Sequence, residues 1–247
     1  MTGYATKNNN FPFHTQNLNV ARSGQKAQHI PAQAKDLIAK IKADKNIDFE
    51  NDWKVVTLFI GGNDLCQFCL DKIHLPETYI DNIKKGLDIL HDQLPRTLVN
   101  LVSILNIKDI KDMNKGLVCP TLHVFECRCA AYPILNRESR LMYHFDGYTN
   151  LTRALAESGR YDTKDDFTVV LQPFFTDFLA PRLDNGKVDL SYFAPDCFHF
   201  SLKAHGNKIK ILYTYNINVD IMDLQNYFIG LLIQVIYESI ESNIWYV

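Results

Sequence analysis

Val55-Val56-Thr57-Leu58-Phe59-Ile60-Gly61-Gly62-Asn63-Asp64-Leu65-Cys66 is the stretch that decides the fold class. An apolar run without polar alternation suits a strand buried on both faces, the kind found in parallel sheets. It ends in two glycines, which let the backbone turn sharply and come close to a ligand. Asn63 then stands at the carboxyl end of a central strand, where open α/β sheets bind their ligands. Gly, Asn and Asp are also ordinary turn residues, so this stretch alone fixes a position and not a chemistry.

The elements on either side have the alternation that a parallel sheet needs. Pro31 opens a helix running to about Ala43, with Ala34, Leu37, Ile38 and Ile41 on one face, which is expected to pack on the sheet. A second helix is expected over Pro76 to Leu94, with Ile80, Ile83, Leu87, Leu90 and Leu94 as its core stripe. Pro95 stops it, and Leu98 to Ile104 follows as a strand. A third helix spans about Ser139 to Glu157, with Leu141, Phe145, Tyr148, Leu151 and Leu155 inward and Gly159 at its end. Phe167 to Gln172 is the last strand, and Leu18 to Ala21 a short candidate ahead of the first helix. Lys108 to Cys119 reads as irregular, and Cys127-Arg128-Cys129 as a turn.

Composition bounds the function. The chain has 247 residues, a formal net charge of -2 and 47% hydrophobic residues, which fits one α/β domain. The absence of a basic cluster argues against nucleic acid as a partner. No run of apolar residues reaches membrane-spanning length, and Met1 to Lys7 lacks an apolar signal core, so nothing in these residues reads as a signal peptide or anchor. Six cysteines include the close pairs Cys66/Cys69 and Cys127/Cys129, with Cys119 and Cys197 besides. Zinc is one reading of those pairs; without matching histidine spacing, structural disulfides are the better one, with the pairing open. Asn150-Leu151-Thr152 is a glycosylation sequon, which permits secretion.

A second informative stretch is Phe193-Ala194-Pro195-Asp196-Cys197-Phe198-His199-Phe200-Ser201. A carboxylate three residues before a histidine in a turn can accept its Nδ1 proton, fixing the tautomer and leaving Nε2 as a base. Arg22-Ser23-Gly24-Gln25-Lys26-Ala27 is a small-residue turn that can bring backbone N–H groups to a ligand. Residues 207–247 change vocabulary, with no Ala, Arg, Pro, Cys or His among them, and are read as an atypical tail.

Asn19 to Gly24, Phe59 to Cys66 and Ala194 to Ser201, in that order, resemble the second, third and fifth blocks of the GDSL-type (SGNH) hydrolases, specifically the animal phospholipase B branch. Ser158-Gly159-Arg160-Tyr161-Asp162-Thr163 and Val170-Leu171-Gln172-Pro173-Phe174-Phe175 are similar to that branch too. The likeness covers about 18–206, which is expected to be the hydrolase domain, with 1–17 a loop or truncated start. It implies a flavodoxin-like three-layer α/β fold and hydrolysis of carboxylic esters of phospholipids and lysophospholipids, without a metal or other cofactor. It implies that His199 is the general base and acid, that Asp196 orients it, and that Gly24 and Asn63 form the oxyanion hole. Association with a membrane surface, on or outside the cell, is implied for the full-length family member.

The family's nucleophile lies in a Gly-Asp-Ser block at the end of the first strand, and this sequence has no Gly-Asp-Ser. Ser23 and Ser201 are poor substitutes, because they sit inside the blocks for oxyanion binding and the histidine turn. The expectation is therefore a sheet lacking its nucleophile-bearing strand and a site inactive as written. The alternative is a non-catalytic lipid-binding or regulatory protein on the same fold. Ile209 to Tyr215 is a strand-like candidate to fill the gap.

Overall fold

A computed structural model describes residues 18–132 and 134–204. Three strands, β1 (Lys54–Leu58), β2 (Thr97–Val102) and β3 (Phe167–Gln172), form a parallel sheet in the order β1-β2-β3. Lys54 pairs with Thr97 and Thr97 with Phe167, so the three strands start nearly level. Parallel neighbours need a long crossover, and helices supply both. α1 (Ile30–Ala43) precedes the sheet, and α2 (Gly62–Gln67) with α3 (Pro76–Gln93) joins β1 to β2. α4 (Val118–Glu126), α5 (Arg128–Ala131) and α6 (Arg137–Ala156) join β2 to β3. This is the expected α/β class, a parallel sheet flanked by helices.

The core is built from the apolar stripes the periodicity marked. Ile83, Leu87 and Leu90 of α3 with Leu94 just past its end, Ile38 and Ile41 of α1, Leu141 and Tyr148 of α6, and Val99 and Leu101 of β2 share one buried cluster. Tyr79 and Tyr148 stack face to face at 3.8 Å between ring centroids, joining α3 to α6. The main neighbour of α1 is α3, not the sheet. Ile30 sits directly over Gly86, where an added Cβ would lie 2.4 Å from its Cγ2. Leu18 to Ala21 forms no strand, contrary to expectation. A strand requires a neighbour to complete its backbone hydrogen bonds, and among the described residues none lies alongside; the stripe of α1 is left to pack on α3. Residues 1–17, the tail at 207–247 and the candidate strand Ile209 to Tyr215 lie outside the described residues.

At the amino end of the strands, away from the ligand-binding end, Arg160 grips Asp88 in a fork, Nε to Oδ1 at 2.8 Å and Nη2 to Oδ2 at 3.0 Å. Lys84 and the Tyr161 hydroxyl also donate to this carboxylate. Partial burial pushes the Asp88 carboxyl up, but these donors outweigh it and bring it down to about 2. Stability from this site is therefore full above the ordinary aspartate value and is lost as pH falls towards 2. With solvent screening allowed for, Asp88→Asn is expected to cost about 1 kcal/mol at neutral pH and nothing near pH 2, read from urea melts at the two pH values.

Candidate active site at the carboxyl ends of the strands

Beyond β1, Phe59 and Ile60 lead into Gly61 at φ +117°, a conformation open to glycine. A Cβ there would stand 2.8 Å from Tyr79 Cε2, so space as well as torsion selects glycine. The next residue starts α2, so the Gly-Gly-Asn-Asp segment is a strand-to-helix hinge with Asn63 and Asp64 in the first turn of the helix. Asn63 Nδ2 donates to Gln25 O at 2.9 Å, Asp64 Oδ2 accepts from Ala27 N at 3.0 Å, and Lys26 Nζ donates to Gln67 Oε1 at 2.6 Å. Three bonds thus strap the loop following Gly24 onto α2, bringing together the two segments expected to form the oxyanion hole. Gly24 itself is left-handed, at φ +71°. Asp64 is buried, and its Oδ1 faces Nδ1 of the equally buried His74 at 3.3 Å. Sequence reasoning missed that pair, because its members are separated by a turn of no recognisable period.

The histidine turn has the geometry its spacing predicts. Asp196 Oδ2 accepts from His199 Nδ1 at 2.8 Å, while Oδ1 accepts from the backbone N–H groups of Phe198 at 2.9 Å and His199 at 3.0 Å. Burial raises the Asp196 carboxyl, but the His199 ring and these N–H donors outweigh it and hold the group below the usual aspartate range. Nε2 of His199 has no hydrogen-bond partner among the described residues, and the side chain is 29% exposed. A partly open imidazole oriented by a carboxylate can take a proton at Nε2. Ser201 is occupied, its hydroxyl donating to Ser191 O at 2.7 Å, and Ser23 is exposed on the Gly24 loop.

Aromatic rings connect the two halves. Phe59, just beyond β1, stacks on Phe175, just beyond β3, at 5.0 Å, and Phe175 stacks on Phe200, next to His199, at 6.3 Å. Both pieces therefore lie at the carboxyl end of the sheet. All six cysteines are joined, Cys66–Cys127 and Cys69–Cys129 tying α2 to α5 and Cys119–Cys197 tying α4 to the histidine turn. The zinc reading of the cysteine pairs is thereby set aside, since disulfide sulfurs are not thiolate ligands.

Residues 2–208 match the family model of the GDSL-like lipase/acylhydrolases. The chain belongs to that family. Over 218 residues it is 43% identical to the phospholipase B1, membrane-associated, of Homo sapiens, and over 195 residues 45% identical to that of Rattus norvegicus. These alignments cover 86% and 76% of this chain but only 14% and 13% of the relatives, so the chain spans about a seventh of their length. No solved structure is significantly similar to it. Among the described residues no helix is long and apolar enough to cross a membrane.

Proposed function

We propose that this site hydrolyses carboxylic esters of phospholipids and lysophospholipids, with His199 as general base and acid, Asp196 as its orienting carboxylate, and Asn63 and the Gly24 N–H as oxyanion donors. The observation that carries the reading is the 2.8 Å contact from His199 Nδ1 to Asp196, with Nε2 unengaged among the described residues. In the first step a serine hydroxyl adds to the ester carbonyl as its proton passes to Nε2. The oxyanion is held by the Asn63 amide and the backbone donors until the tetrahedral carbon collapses. The departing glycerol oxygen takes the proton from His199, and a water molecule repeats the sequence on the acyl-serine. Placement on or outside the cell surface accords with the membrane-associated relatives and with the three disulfides.

The serine is the part these 247 residues do not carry in a Gly-Asp-Ser setting. That favours a second reading, a lipid-binding form without catalysis. Fatty-acid release from lysophosphatidylcholine separates them. The chain alone is expected to stay at background and to escape labelling by a fluorophosphonate, whereas the chain joined behind a segment carrying Gly-Asp-Ser is expected to release fatty acid. His199-dependent labelling of the chain alone would show that the nucleophile is within it. Lipid binding without release by the joined form would leave the second reading standing.

A further inference from the structure

α4 is amphipathic in the unusual sense. Its apolar residues Val118 and Phe125 are 61% and 81% exposed, while Cys119 and His123 are buried and the half-buried Glu126 has its Oε2 buried, all at helical spacing. That inner face meets the histidine turn at Cys197. Cys197 is left-handed at φ +61°, a conformation that is strained for a non-glycine residue and persists only where its surroundings impose it. Its sulfur is bonded to Cys119, its N–H donates to Ala194 O at 2.9 Å, and its carbonyl faces His123 Nε2 at 3.1 Å. The peptide unit that presents this carbonyl to His123 presents its N–H, that of Phe198, to Asp196 Oδ1 at 2.9 Å. One peptide plane is thus gripped from both sides, by His123 and by the carboxylate that orients His199.

We infer that His123 is a positioning residue for the Asp196–His199 pair: by donating from Nε2 to the Cys197 carbonyl it prevents that peptide from rotating, and so keeps the Phe198 N–H on Asp196 Oδ1 and Oδ2 on His199. The ring is well suited to the task. It is fully buried, and Nδ1 lies 2.7 Å from Asn114 Oδ1, whose own Nδ2 donates to Ala131 O at 2.8 Å, so the amide oxygen is the atom turned to His123. Both ring nitrogens therefore face acceptors. Burial outweighs the pull of the Cys197 carbonyl and the Asp196 carboxylate and lowers the ring below the usual histidine range, so it is neutral with one N–H, and the role requires that N–H on Nε2. Glu126, on the same face of α4, is raised by burial and by Asp196 and lowered by His199, so it belongs to the same cluster.

This rests on the catalytic reading of Asp196 and His199, and histidine side-chain NMR of the 247-residue chain tests the two separately. The readouts are the chemical shift of the His199 Nδ1 proton and its exchange with solvent. Asp196→Asn is expected to move the first and speed the second; if neither changes, the Asp196–His199 reading fails and the positioning role fails with it. With that response in place, His123→Leu is expected to broaden the Nδ1 proton and speed its exchange, because a loosened carboxylate holds that proton less firmly. His123→Gln, which keeps an N–H donor, is expected to restore both. A folded His123→Leu chain with an unchanged His199 overturns the inference. If that variant does not fold, the unsubstituted chain decides: through-bond coupling between His123 Nε2 and the Cys197 carbonyl carbon is expected, and its absence overturns the inference equally.

Discussion

In a form of the protein that carries the serine, His199→Ala is expected to lower kcat/KM for lysophosphatidylcholine by about 10⁴-fold or more, and Asn63→Ala by about 10² to 10³. Without the imidazole the serine proton has no acceptor and the leaving oxygen no donor, so both halves of the reaction suffer. Asn63 acts differently. One of its two amide hydrogens is taken by Gln25 O, which fixes the side chain on the Gly24 loop; the other has no partner among the described residues and can meet an oxyanion. A donor anchored before the reaction needs no reorganisation during it, which is why the expected loss falls mainly in kcat. Asn63→Asp replaces that donor by an acceptor and is expected to be at least as severe. A drop of less than tenfold for Asn63→Ala, in a variant whose thermal unfolding is unchanged, would remove it from the oxyanion hole.

Which features of the fold could be read beforehand follows from where burial leaves a period. α3 and β3 were legible because Ile83, Leu87 and Leu90 recur on one helical face, and because Phe167, Val169, Val170 and Leu171 make a short run of apolar residues rich in strand formers. α4 was not, since large apolar residues, Val118, Val124 and Phe125, face outward while only Cys119 and His123 are fully buried; a search for an inward apolar stripe reads it as irregular. α2 was hidden by composition, because Gly-Gly-Asn-Asp favours a turn until Asp64 and Asn63 bind the Gly24 loop. Leu18 to Ala21 shows the opposite error: a strand-like sequence forms no strand without an edge to pair with. Of the candidate site, Asp196 and His199 were legible because their contact is local, three residues apart. His74, His123 and the disulfide partners act across 10 to 78 positions, and six cysteines alone admit 15 pairings.

Removing both disulfides between α2 and α5 is expected to destabilise the chain by more than the sum of removing each. Cys66–Cys127 and Cys69–Cys129 close loops of nearly equal length, with sequence separations of 61 and 60. Once either is formed, the other closes only a small ring made of residues 66–69 and 127–129. By the loop-entropy relation the first closure is worth about 4 kcal/mol and the second about 2. Replacing Cys69 and Cys129 by alanine, or Cys66 and Cys127, is therefore expected to cost about 2 kcal/mol each, because the remaining bridge still closes the long loop. Replacing all four is expected to cost about 6 kcal/mol, a large share of the stability of a domain this size. Cys119–Cys197 spans residues that neither bridge shortens, at a separation of 78, and its removal alone is expected to cost about 4 kcal/mol. Urea unfolding of the three double variants and the quadruple one measures these values. Equal losses for all three double variants would mean that loop closure is not what these bridges supply. The ordering also bears on the site: the bridge with the largest single effect is the one that holds Cys197 between Asp196 and His199, so the variant lacking it is expected to lose the orientation of His199 before it loses the sheet.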